Sequence, residues 1–421
     1  MRTKYSGNVH RIWLSALLAA AVALAASAAA QPTERLDLES ARLLVDSLQS
    51  EVESLRKLGF KQPVPVHVVD DDAAREHMLD RLQEFQPEEY LRRMQKAYEL
   101  LRLVPPEFDL LATFLEVLRE QAGGYYDPDS KSFYLLDDVP RLLASVVVAH
   151  ELTHALEDQH FDLDRRLREA MYDDDQLLAH SAVHEGSATL LMTLYLSRQI
   201  FAGEVDAAAM QAYAESEVER AEVLKLLPAV FQRQLLVPYL VGSGFLVRGN
   251  LTALVASGYP AADVDRVYRD PPRSSEQILH PEKYWGARDD PRTVEIGSVG
   301  SLLGRRWERT AGGVLGELTL GLLVGAPTPF PPTVGAAQGG DAWTNEAATG
   351  WGGDRWQLWQ RGDRAVVLLA TVWDSEQHAR EFAEALPRDS GLHWRLAGER
   401  VAIVAGDVGR KADRLLARML R

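Results

Sequence analysis

The chain has 421 residues, a formal net charge of −15, no cysteine, 46% apolar residues and 25% charged residues. That balance belongs to a folded globular protein and excludes disordered, collagen-like and disulfide-stapled chains. The acidic excess argues against nucleic acid or an anionic membrane surface as partner. The missing cysteines exclude thiol catalysis, cysteine-ligated zinc and a cysteine-anchored lipid.

Residues 1–30 read as an export signal. Arg2, Lys4 and Arg11 form a basic head, Ile12 to Ala26 an apolar run, and Ala28 and Ala30 a small-x-small cleavage site. The run is short for a membrane span and no stop-transfer pattern follows, which favours a cleaved signal; an uncleaved N-terminal anchor is the alternative. Cleavage near Ala30 leaves a mature chain of net charge −18, secreted or periplasmic, with no membrane role beyond export.

Residues 31–60 form an N-terminal amphipathic helix, with Leu43, Leu44, Leu48, Val52 and Leu55 at three- and four-residue steps. This segment could shield a cleft until removed. Pro63 to Val69 reads as a short strand, and helical periodicity runs from Ala73 to about Leu103 and from Phe108 to Glu120. Gly123 to Leu136 reads as a hairpin, with aromatic arms around Asp127-Pro128-Asp129-Ser130. Helices follow at about 140–159, 175–201 and 204–257, the last broken near Gly242 and Gly244. Residues 270–300 read as irregular. Gly325 to Gly340 reads as a linker. Strands at 356–359 and 365–372, a helix at 375–386, strands at 392–396 and 401–404 and a terminal helix at 408–420 make a small ββαββα module. The segment Trp351-Gly352-Gly353-Asp354-Arg355 reads as core with a turn. The expected fold is α+β. It has a mainly helical domain with a small sheet edge at 61–300, a helix and linker at 301–340, and a C-terminal α+β module at 341–421.

The chemistry is concentrated in Val146-Val147-Val148-Ala149-His150-Glu151-Leu152-Thr153-His154-Ala155-Leu156, an HExxH motif. On a helix, His150 and His154 share one face a turn apart, so both imidazoles can bind one Zn2+. Glu151 beside them can shuttle a proton between an attacking water and a leaving amine. Charged residues are absent between Arg141 and Glu157 except Glu151. That is the texture of a buried helix whose polar groups are used. A catalytic zinc needs a third protein ligand. Glu185, 31 residues after His154 and among apolar neighbours, supplies it, with Gly186 and Ala188 small enough for close helix packing. His184 points about 100° away from Glu185 around the helix. It is a neighbour of the metal shell or the substrate, or else a core histidine. His180 is a weaker rival. His160 suits a helix C-terminus. Asp173-Asp174-Asp175 reads as a solvated helix cap rather than a calcium loop.

His150-Glu151-x-x-His154 followed by Glu185-Gly186-Ser187-Ala188 resembles the gluzincin branch of the zinc metallopeptidases over about residues 60–260. Tyr125 to Pro128, His150 to His160 and Leu279 to Tyr284 together resemble a set of uncharacterised secreted bacterial HExxH proteins. The resemblance implies a zincin-like fold, one Zn2+ per chain and a peptide or protein substrate. It also implies an oxyanion donor further along the chain, for which Tyr239, His280 and Tyr284 are candidates, and a docking sheet edge at Phe133 to Leu136. Where the family carries an aspartate four residues after the glutamate ligand, this chain has Thr189. The orienter of a zinc histidine must then be another group, such as Asp158 or a backbone carbonyl. The expected activity is hydrolysis of peptide bonds by an exported zinc metallopeptidase. The alternatives are a non-catalytic binding or assembly protein that retains the zinc site, and a zinc hydrolase acting on a non-peptide amide or ester.

Overall fold

The computed structural model describes residues 37–421 apart from 71, 75, 78–87, 111–112, 114–122, 138, 140, 206–226, 250–251, 326–338 and 389. The export signal, the helix expected at 108–120 and the linker centred on 326–338 therefore lie largely or wholly outside the described residues. The architecture is mixed α+β with two small sheets. No helix among the described residues is long and apolar enough to cross a membrane.

Helix α1 (Leu38–Arg56) opens with Asp37 accepting a hydrogen bond from the Ser40 N–H, and ends on Lys57 in the left-handed conformation. Its buried face is Ala41, Val45, Leu48, Val52 and Leu55. Leu43, assigned to that face from the sequence, is instead 64% exposed. The helix packs on the first sheet and on the motif helix, and Arg56 is fully buried. It is part of the core, so its described residues do not form a removable shield.

Strand β1 (Val66–Val69) runs parallel to β3 (Ser132–Leu136), and β2 (Gly124–Asp127) pairs antiparallel with β3. The order β1-β3-β2 makes β3 the central strand. Phe133 to Leu136 therefore cannot serve as a docking edge, because both its sides are already hydrogen-bonded. The edge that lies against the motif helix is β2.

Helix α2 (Glu88–Leu100) precedes the hairpin. The motif helix α3 (Arg141–Phe161), a short α4 (Leu163–Ala170) and the 29-residue α5 (Asp174–Ala202) follow it. Helix α6 (Ala229–Leu246) packs along α5 more extensively than any other helix. The helical stretch breaks just past Gly242 and Gly244, where α6 ends at Leu246 and residues 247–249 turn. Gly242 is there for proximity. A Cβ on it would stand 2.1 Å from the Ala182 carbonyl oxygen, and one on Gly186 would stand 2.4 Å from the Gly242 carbonyl carbon. Helices α7 (Ala261–Arg269) and α8 (Ser275–Leu279) also pack on α5, with Tyr268 against His184 and the Ser275 N–H on Asp175.

The second sheet has five antiparallel strands in the order β4-β5-β6-β8-β7. Strand β5 (Trp351–Arg361), β6 (Arg364–Trp373), helix α10 (Glu376–Ala385), β7 (His393–Ala397), β8 (Arg400–Gly406) and helix α11 (Ala412–Met419) match the expected ββαββα order. A fifth strand, β4 (Glu308–Gly313), comes from the stretch expected to be helix and linker, and helix α9 (Gly316–Leu323) follows it. Trp351 to Arg355 is the start of β5 with a bulge, not a turn. Alternation places Trp356, Leu358, Val367, Leu369 and Ile403 in the large common core, and Val366, Leu368, Ala402 and Val404 against α11. The sheet is thus covered on both faces. Its inner face shares one hydrophobic core with the helical region.

Candidate metal centre

The apolar run before His150 lets α3 sit with Val146, Val147, Val148, Ala149, Leu152, Ala155 and Leu156 buried at or below 1% exposure. Two polar residues one turn apart inside such a helix need partners. The partner comes from α5. His150 Nε2 lies 3.2 Å from Glu185 Oε2, His154 Nε2 lies 3.4 Å from that same oxygen, and the two Nε2 atoms are 3.1 Å apart. Three ligand atoms held about 2.0–2.1 Å from one tetrahedral ion sit roughly 3.3 Å from one another. The spacing of this triangle thus fits a single small cation, and its two imidazole nitrogens and carboxylate oxygen are the donor types zinc takes. His150 and Glu185 are fully enclosed, whereas the His154 side chain keeps 14% exposure. The site therefore opens on the His154 side.

Glu185 can reach α3 because Gly186, its neighbour, lies against Gly242 of α6. Electrostatics bind the triangle further. Burial opposes charge on both groups, yet the His154 imidazole holds the Glu185 carboxyl down to about 2. In return, burial works against protonation of His154, but Glu185 outweighs it and lifts the imidazole to about 9.

Glu151 is buried beside them. Its Oε2 accepts a hydrogen bond of 2.8 Å from the Tyr126 backbone N–H on β2. Burial raises its pKa above the ordinary carboxylate range against the opposing pull of His150 and His154. Sequence reasoning missed this role of Tyr126, because a backbone N–H has no residue signature. Its side chain was readable only as a β-prone aromatic.

Tyr239 on α6 joins the site. Its ring stacks on that of His150 at 6.1 Å and 17°. Burial first, then the charges of Glu185 and Glu151, push its phenol well above its ordinary value. His280 and Tyr284 go elsewhere. His280 Nε2 lies 2.9 Å from Glu317, and the Tyr284 hydroxyl donates to the Asp270 carbonyl. Asp158 does not orient a zinc histidine. Its carboxylate accepts from the Tyr126 hydroxyl at 2.9 Å, Lys131 Nζ at 2.7 Å and the Leu163 N–H at 3.1 Å, latching the hairpin to α3. His150 Nδ1 is buried with no hydrogen-bond partner among the described residues, so none of them takes the aspartate's place. His184 is buried and tilts against the Tyr268 ring at 5.7 Å. Burial, with His180 and His154 nearby, holds it well below its ordinary pKa. Burial likewise lowers His180 to about 4. His160, in the last turn of α3, meets the Gly59 carbonyl at 2.8 Å and so ties α3 to the segment after α1.

A second buried cluster lies one turn along α3. Glu157 accepts from Arg56 Nε at 2.5 Å, Ser187 Oγ at 2.5 Å and the Tyr268 hydroxyl at 2.6 Å. It ties α1, α3, α5 and α7 together beside the triangle. No local spacing marked Glu157, which sits beside Asp158 where the uncharged stretch of α3 ends.

A family model described as Domain of unknown function (DUF8575) matches residues 305–408, the stretch from just before β4 to just after β8. No curated protein and no solved structure matches the chain.

Proposed function

We propose that the chain is an exported zinc-dependent metallopeptidase of gluzincin type, with a zincin-like helical region built around α3 and α5. The observation that carries this reading is the triangle of His150 Nε2, His154 Nε2 and Glu185 Oε2 at 3.1–3.4 Å with Glu151 at its side. His150, His154 and Glu185 would hold one Zn2+. The ion supplies a Lewis acid that polarises the scissile carbonyl and acidifies water.

The protein's own groups do the rest. The Tyr126 N–H fixes one oxygen of Glu151, so the other is free to take a proton from the attacking water. The raised pKa of Glu151 suits a group that must then give that proton to the leaving amine. Tyr239 stays protonated at neutral pH and can donate to a developing oxyanion. The mechanism needs no covalent intermediate.

The test compares the purified chain with Glu151→Gln. Bound zinc is counted in both, and cleavage of a mixed peptide library is read by mass spectrometry. The reading expects about one zinc per chain in each and cleavage by the wild type alone, with activity lost by about a hundredfold or more in the variant. Zinc without cleavage in either protein would move the assignment to a structural metal or a non-peptide substrate. A folded wild type that takes no zinc would remove the site itself.

A further inference from the structure

The segment His280-Pro281-Glu282 takes no part in the triangle. It follows α8, whose Ser275 meets Asp175, ten residues or about 15 Å along α5 from Glu185. The His280 side chain is only 9% exposed, and its two nitrogens face different surroundings. Inward, Nε2 lies 2.9 Å from Oε1 of Glu317 in the first turn of α9. Glu317 is fully buried, and the same oxygen accepts from the Thr344 hydroxyl at 2.9 Å. Outward, Nδ1 faces two exposed carboxylates, Asp341 Oδ1 at 3.8 Å and Glu282 Oε1 at 4.0 Å.

An ionised Glu317 can only accept, so a neutral imidazole donates its Nε2–H inward and turns the Nδ1 lone pair outward. A carboxylate behind a histidine is the arrangement that holds metal-binding imidazoles in one tautomer and one orientation. Two atoms bound to one ion at about 2.0–2.2 Å stand roughly 3–4 Å apart. The separations in front of Nδ1 therefore leave room for a single ion. The backbone brings Asp341 there. A Cβ on Gly340 would stand 1.8 Å from the Leu279 carbonyl oxygen, so residue 340 is pressed against the end of α8.

The charges favour an ion as well. Glu317, Glu282 and Asp341 surround a ring that carries at most one positive charge. The second oxygen of Glu317 has no hydrogen-bond partner among the described residues. Lys283 is committed elsewhere, to Glu276, Asp289 and Asp374 at 2.6–2.9 Å. That neighbouring trio of acids has its cation built in, whereas the acids at His280 have the ring alone. Burial resists protonation of His280, yet its bond to Glu317 and the charges of Glu317, Glu276 and Glu282 outweigh that and raise its pKa. A proton supplies one unit of the charge drawn in there, and a divalent ion supplies two.

We propose that His280 Nδ1, Glu282 and Asp341 form a second divalent-cation site, with Glu317 orienting the histidine. Its ion would staple the end of α8 to the segment around residue 341. One imidazole and two carboxylates, with water completing the shell, are donors that Zn2+ accepts. Both carboxylates are exposed and lose freedom on binding, so this site is weaker than the triangle and fills only when zinc is added.

Equilibrium dialysis of the full chain against about 100 μM free Zn2+ tests it. The wild type should hold about two ions per chain, and Glu282→Gln/Asp341→Asn and His150→Gln/His154→Gln about one each. Zinc beyond the first equivalent should raise the thermal midpoint of the wild type but not of Glu282→Gln/Asp341→Asn. The two replaced carboxylates are 75% and 95% exposed, so that variant keeps the core intact. Equal zinc content in the wild type and Glu282→Gln/Asp341→Asn would overturn the site. The outcome does not depend on the triangle. Were the triangle empty, the wild type would hold about one ion, lost in the carboxylate variant and kept in the histidine variant, which still supports the site at His280.

Discussion

At the scale of single residues, one carboxylate sets the protonation state of the site. Without its charge, only the smaller pulls of Glu151 and Glu157 would offset the burial that opposes a charged His154. In the metal-free protein, Glu185→Gln is therefore expected to lower the His154 imidazole from about 9 toward or past its ordinary value, read by NMR titration of the ring protons. The same variant should bind zinc more weakly by over about a hundredfold in a competition titration. Glu185 also explains why the HExxH segment was legible. The motif places both histidines by helical period alone, and a buried acid among apolar neighbours asks for a cation. Tyr239 was harder. Its place depends on how α6 crosses α5, which no local spacing encodes. The same limit misassigned His280 and Tyr284, whose partners Glu317 and Asp270 are set by packing.

At the scale of elements, the crossing of α5 and α6 positions Glu185. Gly186 and Gly242 let the two backbones meet, and Ala182 completes the contact. A methyl group at 242 meets the Ala182 carbonyl oxygen at 2.1 Å, and that oxygen is backbone, which cannot swing aside. Gly242→Ala should push the helices apart. The expected loss is about 2–3 kcal/mol in urea unfolding, with zinc affinity weakened as well because the contact adjoins Glu185. Unchanged stability and zinc binding would show that the crossing is not what seats Glu185. The helix periods and the ββαββα order were readable, because local apolar spacing carries them. Strand β4 and the register of α1 were not. An exposed edge strand such as Glu308 to Gly313 has no alternating apolar pattern, and Leu43 mimics a core position by spacing alone. The break after Gly242 and Gly244 was readable from their flexibility, but the neighbour that Gly242 admits was not.

At the scale of the whole molecule, the two regions are joined through buried acids. Asp354 of β5 accepts from the backbone N–H groups of Leu315 and Gly316, both at 2.9 Å, and so holds the start of α9. The Trp351 indole adds a third bond at 3.1 Å. Asp175, in the first turn of the helix that carries Glu185, accepts from the Ser275 N–H. Its Oδ1 lies 1.8 Å from where a Cβ on Gly316 would stand, so only glycine fits there. Expected as part of a solvated cap, Asp175 is instead buried and Asp174 half-buried beside the Tyr98 hydroxyl, while Asp173 does the capping by accepting from Gln176. Burial raises the Asp354 carboxyl to about 7, opposed by its backbone donors and aided by the charge of Asp173.

The sign of the pH effect follows from that shift. An unfolded aspartate with a pKa of 3.8 gives up its proton near pH 4, whereas folded Asp354 keeps it until about pH 7. Between those values the native state binds the extra proton, so this group lowers stability as pH rises from about 4 to about 7. Asp354→Asn cannot ionise and leaves one of the backbone donors poorly matched, a cost that does not vary with pH. The wild type should therefore be the more stable of the two at pH 4. Its advantage should then shrink by on the order of 2 kcal/mol by pH 8, because ionised Asp354 must sit buried near Asp173. Urea midpoints for both proteins at several pH values measure the gap directly, and titrations elsewhere in the chain cancel in the difference. A gap that stays constant from pH 4 to 8 would mean that the three hydrogen bonds keep Asp354 ionised in the folded protein. The junction between the sheet and α5 would then be an anion clamp at every pH rather than one that loosens as it deprotonates.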